Sequence, residues 1–356
     1  MSTPTTAEAR LYGAGYKKGS AWGTEVALGA ADELLVLKDG DLATARKQDM
    51  LPLKESNNTM LRTVVPGAVT ACDVTPEMYI RYEAGALGTI WAQTAGTAGA
   101  PAAASALHLH TFQWAASTSG KFGTYAAEYP GKIFSVPSAK PYKFVVSLQD
   151  GILKASPTLL GNIVIDDSAV NGATQMDALV GTDPGPLVKF SECTKCWLAL
   201  ASHADAMAAT EAVTISGFEI TYGRGLETPK PANGAAYLSE PGEEDFSEVR
   251  VKLDFPKNDT SNDMFFDDFQ DGTAWQFLLE FTSGGHLGAT AEHGVLGFYF
   301  PKLLVAGVPD TKKAGMVTTS VEFIAVLSAD ALPVGMTTYH LPYVLLTNER
   351  DTDYLA

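Results

Sequence analysis

The sequence predicts a mainly β fold, an antiparallel sandwich or barrel. Three observations predict it: runs that alternate apolar and polar residues with period two, turn-forming residues between those runs, and a scarcity of helix signals. Val249-Arg250-Val251-Lys252-Leu253-Asp254-Phe255 places four apolar side chains on one face and three charges on the other. Tyr142, Phe144, Val146 and Leu148 alternate with Lys143 and Ser147, and Trp275, Phe277, Leu279 and Phe281 with Gln276 and Glu280. Between Met316 and Leu327, the residues Val317, Val321, Phe323 and Leu327 share a face. Pro137-Ser138, Asp150-Gly151, Pro241-Gly242 and Pro309-Asp310 read as the turns between strands.

Two short helices are expected. Thr75-Pro76-Glu77 supplies an N-cap, a proline at the first helical position and an early acid, so one helix is placed from about Pro76 to Ala86. Asp263 is the expected cap of a second, carrying Met264, Phe265 and Phe269. The small-residue stretch Ala92 to Ala106 reads as a loop. Residues 1–9 and the segment 331–356 read as terminal arms, because neither 1–9 nor 345–356 has the apolar periodicity to hold itself on its own core.

The order of elements occurs twice. Met78-Tyr79, Gly88-Thr89-Ile90-Trp91 and Thr94-Ala95-Gly96 are echoed by Met264-Phe265, Gly272-Thr273-Ala274-Trp275 and Thr282-Ser283-Gly284. The expected organisation is a first β unit over 10–165, a linker over 166–187 and a second unit over 188–330, with one short helix per copy.

Composition narrows function. The chain has 356 residues, 46% of them apolar and 19% charged, with 41 acids against 25 bases and a formal charge of −16. A charged share below the roughly 25% of an average domain suits a subunit that assembles. The negative field repels phosphate and anionic lipid, which argues against gripping nucleic acid or a membrane. Three cysteines, Cys72, Cys193 and Cys196, are too few for a disulfide framework and fit a reducing cytoplasm. The first residues have no apolar leader core and no apolar run reaches the ~20 residues of a spanning helix, so the expectation is a soluble protein made in the cytosol.

Chemical motifs are weak. Cys193-Thr194-Lys195-Cys196 is a lone CxxC with no second pair, and its extension into an apolar run favours structural thiols over a redox or zinc site. His108-Leu109-His110 would put two imidazoles on one face of a strand, yet no further histidine has metal spacing. Gly13, Gly15 and Gly19 lack the Lys-Ser/Thr ending of a phosphate loop, and no Gly-x-Ser-x-Gly nucleophile motif occurs. The acidic stretches Glu240–Glu248 and Asp263–Asp271 do not match a calcium loop and read as solvated faces, with a repulsive lining for a DNA channel as the functional alternative. The bases are dispersed, in clusters no larger than pairs such as Lys17-Lys18 and Lys312-Lys313. No catalytic, cofactor-binding or metal-ligating residue is assigned, and no enzymatic activity is expected.

The segment from Tyr12 to Thr24 (YGAGYKKGSAWGT), Pro137-Ser138-Ala139-Lys140, the GFEITYG run at 217–223 and Val321-Glu322-Phe323 together resemble the tail tube (major tail) proteins of long, non-contractile-tailed bacteriophages, the siphophages. The resemblance spans roughly Leu11 to Leu327. It implies a β-sandwich or barrel tube domain with a flanking helix, six such domains in a ring, and rings stacked helically around a channel, with loops, long hairpins and terminal arms bridging rings. With two domains per chain the ring is a trimer; a hexamer of single long domains is the alternative. The implied partners are further copies of the chain, other tail proteins at the tube ends, and in the lumen a tape measure protein and then DNA, without specific binding. The implied location is the virion tail, assembled in the host cytoplasm, with no membrane involved. A net negative bore is expected, with bases at contacts or outside. The competing reading is a carbohydrate- or receptor-binding decoration module of a virion, which exposed tryptophans along a groove would favour; a β-rich hydrolase would need a catalytic constellation.

Overall fold

The computed structural model describes residues 13–30, 33–39, 48–53, 63–69, 72–129, 132–179, 185–203, 205–227, 239–244, 247–256, 264–288, 291–307, 310–314, 316–328, 332–336 and 339–356. The fold is mainly β. Its first half contains β1 (Gly13–Lys18), β2 (Leu37–Asp39), β3 (Gln48–Leu53), β4 (Thr63–Val69), β5 (Cys72–Val74), β6 (Glu77–Tyr79), α1 (Gly85–Ala95), β7 (Gly96–Ala98), β8 (Ala102–Ala104), β9 (Leu107–Trp114), β10 (Gly123–Tyr129), β11 (Lys132–Gln149), β12 (Ile152–Gly161), β13 (Ile165–Asp166) and α2 (Ala173–Ala178). The second half contains β14 (Cys193–Leu200), β15 (Gly217–Gly223), β16 (Leu226–Glu227), β17 (Gly242–Glu243), β18 (Glu248–Phe255), α3 (Met264–Asp271), β19 (Ala274–His286), β20 (His293–Val305), β21 (Asp310–Ala314), β22 (Met316–Ala325) and β23 (Tyr343–Asn348).

The strand ladders repeat. In the first half β1 pairs with β10, β10 with β11, β11 with β12, β12 with β5 and β6, and β6 with β2. In the second half β14 pairs with β19, β19 with β20, β20 and its continuation β21 with β22, β22 with β18, and β18 with β15. All are antiparallel. Each unit also inserts one helix after the strand that pairs with its last strand.

Strand β11 joins the units. Its early part pairs with β10, and its later part pairs with β15 on the side away from β12. Two register shifts bend it between those partners: Pro137 and Ser138 lie opposite the single residue Thr124, and Tyr142 is an extra residue against β12. One ladder series therefore runs β2–β6–β12–β11–β15–β18–β22–β21. A second runs β14–β19–β20–β23–β9.

The alternation seen in the sequence dictates what these strands bury. Phe144, Val146, Ile220, Val251, Leu253 and Phe323 are fully buried, as are Phe277, Leu279, Phe298 and Phe300, in one continuous core. Trp91 of α1 is central, with its ring 4.9 Å from Phe144, 5.6 Å from Phe298 and 5.8 Å from Phe112. Phe265 of α3 fills the second unit against Phe255, Trp275 and Phe323 at 5.7, 5.3 and 5.7 Å.

Several expectations are corrected. The helix placed at Pro76–Ala86 is strand over Glu77–Tyr79, and the helix runs from Gly85 to Ala95. Met78, Ile80 and Tyr82 are buried while Glu77, Tyr79 and Arg81 are only half-buried, so period-two burial overrides the capping signal. Consequently Trp91 sits on a helix and Trp275 on a strand, and the residues of the echo are not equivalent. The stretch 92–106 is the end of α1 followed by β7 and β8. Pro137-Ser138 forms a bulge within β11, where a proline is tolerated. The segment 166–187 is packed through α2, whose Met176 joins Leu179, Leu28 and Ala126 in a small cluster.

The segment 331–356 is not an arm. Strand β23 lies between β9 and β20, Val344 and Leu346 are buried, and Asn348 Nδ2 donates to Tyr82 O and Tyr354 Oη at 3.1 and 2.9 Å. Residues 1–9 lie outside the described residues, as do Asp263 and Pro309.

Candidate assembly surfaces

One face of the series in which β5 and β6 pair with β12, followed by β11, β15, β18 and β22, points away from the core. It carries the acids Asp73, Glu77, Glu219, Glu248, Asp254 and Glu322 and the bases Lys143, Lys154, Arg250 and Lys252, interleaved by Ser147, Ser156, Thr158, Thr221 and Ser320. Acids exceed bases here. Lys154 is paired with Glu77 at 3.0 Å, and Arg250 with Glu248 and Glu322 at 2.6 and 2.7 Å. Cross-strand pairs of this kind hold register and satisfy charge, while each exposed pair adds at most about 1 kcal/mol.

The same series ends in two strands with an unpartnered side. Among the described residues, β2 has a ladder only to β6 and β21 only to β22. Such an edge presents unpaired N–H and C=O groups to another chain. The chain itself shows how one edge can be filled. By the repeat of ladders, β15 is the counterpart of β2, and β21 continues the counterpart of β11; within the chain, β11 and β15 pair from Lys143–Gly223 to Ser147–Glu219. A further hairpin, β3–β4, forms its own two-stranded sheet, with no ladder to the rest among the described residues.

The units are also locked by polar contacts that span a hundred residues or more. Arg224, just past β15, has a fully buried side chain that reaches the end of α1. Its guanidinium donates to Thr94 O at 2.8 Å, Ala95 O at 2.6 Å and Ala115 O at 2.9 Å, lies 3.4 Å from Glu243, and stacks 4.1 Å from the Trp114 ring. Burial lowers its pKa to about 10, with Glu243 acting in the opposite direction, so it remains charged at neutral pH. Lys140, also buried, donates to Glu240 and to Pro241 O, both at 2.8 Å. Glu240 also accepts Gly120 N at 2.7 Å, and Glu243 accepts Thr118 N and Oγ1 at 2.5 and 2.6 Å. Within the acidic stretch Glu240–Glu248, Glu240 and Glu243 thus strap across the first unit, while Glu244 is exposed and Glu248 lies on the outward face. In α3, Asp267 and Asp271 are exposed.

The bases are less dispersed than expected. Lys17, Lys18, Lys121 and Arg350 line one open groove together with Glu33 and Tyr354. Lys17 pairs with Glu33 at 2.5 Å, and Lys18 donates to Leu355 O. Residues 17, 121 and 350 are too far apart in the chain for local spacing to reveal this cluster.

The remaining motifs resolve into structure. Cys72 is buried against Gly161, while Cys193 and Cys196 lie half-buried on β14. Desolvation raises Cys72 and Cys193 to about 11 and Cys196 to about 12, which leaves them protonated and weakly nucleophilic at neutral pH. His110 is buried with Nε2 donating to Arg350 O at 2.8 Å, so His108 and His110 do not converge on a common ligand. Gly13 and Gly15 belong to β1, and Gly19 follows it, closely packed on Phe122. Among the described residues no three His, Cys, Asp or Glu side chains form a group able to hold a metal ion. No described helix is long and apolar enough to cross a membrane. No protein-family model matches the chain, and no curated protein matches it either.

Proposed function

We propose that the chain is a structural virion protein, a siphophage tail tube subunit that forms stacked rings around a channel for DNA. The observation that carries this reading is the eight-strand series with its internal joint. Two units of like topology are coupled in the chain by β11–β15 pairing, and the same two edges recur, unpartnered among the described residues, at β21 and β2. Pairing β21 of one chain with β2 of the next repeats the joint and propagates the sheet. Six units to a ring, as the resemblance implies, then means three chains. The β3–β4 hairpin is a candidate bridge between rings.

The outward face of the series would line the channel. Among its described side chains acids outnumber bases, and two of the four bases are already held by carboxylates, so a duplex would meet few free cations there from which to release counterions. Carbohydrate recognition has less support, since none of the five tryptophans is exposed and Trp91 and Trp275 are buried.

Negative-stain electron microscopy and native mass spectrometry of the purified chain test the proposal. Hollow rings or tubes in multiples of three chains are expected. In addition, proline placed singly at Thr311 and Lys312 removes adjacent N–H groups of β21, one of which faces β22 and the other the open edge. One of the two variants should fold normally yet fail to assemble. A chain that stays monomeric at high concentration, or assembly indifferent to both prolines, overturns the reading.

A further inference from the structure

We propose that His286 and His293 form a binding site for a divalent transition-metal ion of the Zn²⁺, Ni²⁺ and Cu²⁺ class. The two residues are direct cross-strand partners at the loop end of the β19–β20 hairpin, both exposed, with ring centroids 4.8 Å apart and planes inclined at 50°. That separation allows one ion to bridge two ring nitrogens.

The tautomer of His293 favours a ligand. Its Nδ1 lies 2.6 Å from Ser283 O, which can only accept, so in the neutral ring Nδ1 carries the hydrogen and Nε2 the lone pair. Metal-binding histidines are typically oriented by such a bond from the other ring nitrogen to a carbonyl. The carbonyl is itself held in place. Ser283 is buried, its Oγ donates to Gly285 O at 2.6 Å and accepts Gly294 N at 2.9 Å, and the register shift between Thr282 and His286 places it there. Leu287 N donates to Glu292 O at 2.9 Å and closes the loop that joins the strands. His286 has no hydrogen-bond partner among the described residues and meets the ring of His293.

Imidazole nitrogen selects Zn²⁺, Ni²⁺ or Cu²⁺ over Mg²⁺ and Ca²⁺, which require oxygen ligands. Two protein ligands leave the remaining positions to water, so the site is open and its affinity modest. The inference does not depend on ring formation.

The test is isothermal titration of the full-length chain with Zn²⁺ alone, together with NMR of the imidazole ring protons during a Ni²⁺ titration. Saturable one-to-one binding is expected, with the His286 and His293 signals broadened first. His286→Asn and His293→Asn should each weaken binding about tenfold or more, while His203→Asn leaves it unchanged; thermal melts establish that all three variants fold. Absence of saturable binding, or binding that survives both substitutions, overturns the proposal.

Discussion

Helices α1 and α3 occupy the same place in two units of like topology, yet one is sealed and the other is open. Ten of the eleven residues of α1 are buried, it carries no charge, and its last carbonyls are served by Arg224 from the other unit. In α3, Phe265 is buried while Asp267, Phe269, Gln270 and Asp271 are exposed; the chain turns at Gly272 with φ +67°, and Thr273 N returns to Asp268 O. The difference lies in what is laid over the unit. Strand β9 and the segment after β23 cover α1, with Tyr354 packed directly on Gly88. Among the described side chains of α3, Phe265 alone is buried, whereas β9 and the segment after β23 add a layer over α1. A helix apolar on all sides belongs in such an enclosure, and an amphipathic one at a surface.

The largest test removes the contact that ties that enclosure to the second unit. Arg224→Met leaves three carbonyls and Glu243 without their cation, and the expected loss is about 3–5 kcal/mol in chemical denaturation. If the loss is under 1 kcal/mol, α1 does not depend on the second unit.

Gly88→Ala asks how tight the cover is. A Cβ there would lie 2.2 Å from Tyr354 Cε1, and Tyr354 is buried with its hydroxyl held by Asn348, so the expected cost is about 1–3 kcal/mol despite the better helix propensity of alanine. The contrasting change on the open helix, Gln270→Ala, should stay within about 0.5 kcal/mol.

The smallest effect concerns Glu83, beside Glu349 of the covering segment. Burial, and then the Glu349 charge, raise its carboxyl above the ordinary range. The folded state therefore binds this proton more tightly than the unfolded state, and the associated stability is present at low pH and lost as pH rises through the carboxylate range. Glu83→Gln should gain less than about 1 kcal/mol at neutral pH, with the gain vanishing in acid; urea titrations at the two pH values measure it.

How legible these regions were in the sequence follows the same division. Runs that bury one face, such as 249–255 and 275–281, show as strands because their period is read directly from apolar spacing. Helix α3 was placed by a different signal, the expected cap at Asp263 ahead of Met264, Phe265 and Phe269. Helix α1 was not visible, since a sequence apolar all round carries no period, and the stronger local signal at Thr75-Pro76-Glu77 lost to pairing with β2 and β12. Strand β23 was missed because Tyr343-Val344-Leu345-Leu346 is continuous rather than alternating. Arg224 had no local signature at all: the carbonyls it serves stand 109 to 130 residues away. The edges at β2 and β21 emerge only once the ladders are known. The histidine pair depends on the bulge at Ser283–Gly285, which two neighbouring glycines permit without specifying.

Strand β23 has a consequence for the order in which the molecule forms. It enters between β9 and β20, segments that begin at residues 107 and 293, so the second ladder series cannot close until residue 348 is available. Contacts of such sequence separation slow folding, because loop-closure entropy is lost before the pairing is gained. Until then β9 and β20 each present an open edge, and the covering side of α1 is bare. A nascent chain stopped short of β23 is therefore a species prone to off-pathway association, and completion of that strand acts as a checkpoint between synthesis and any productive encounter with another copy.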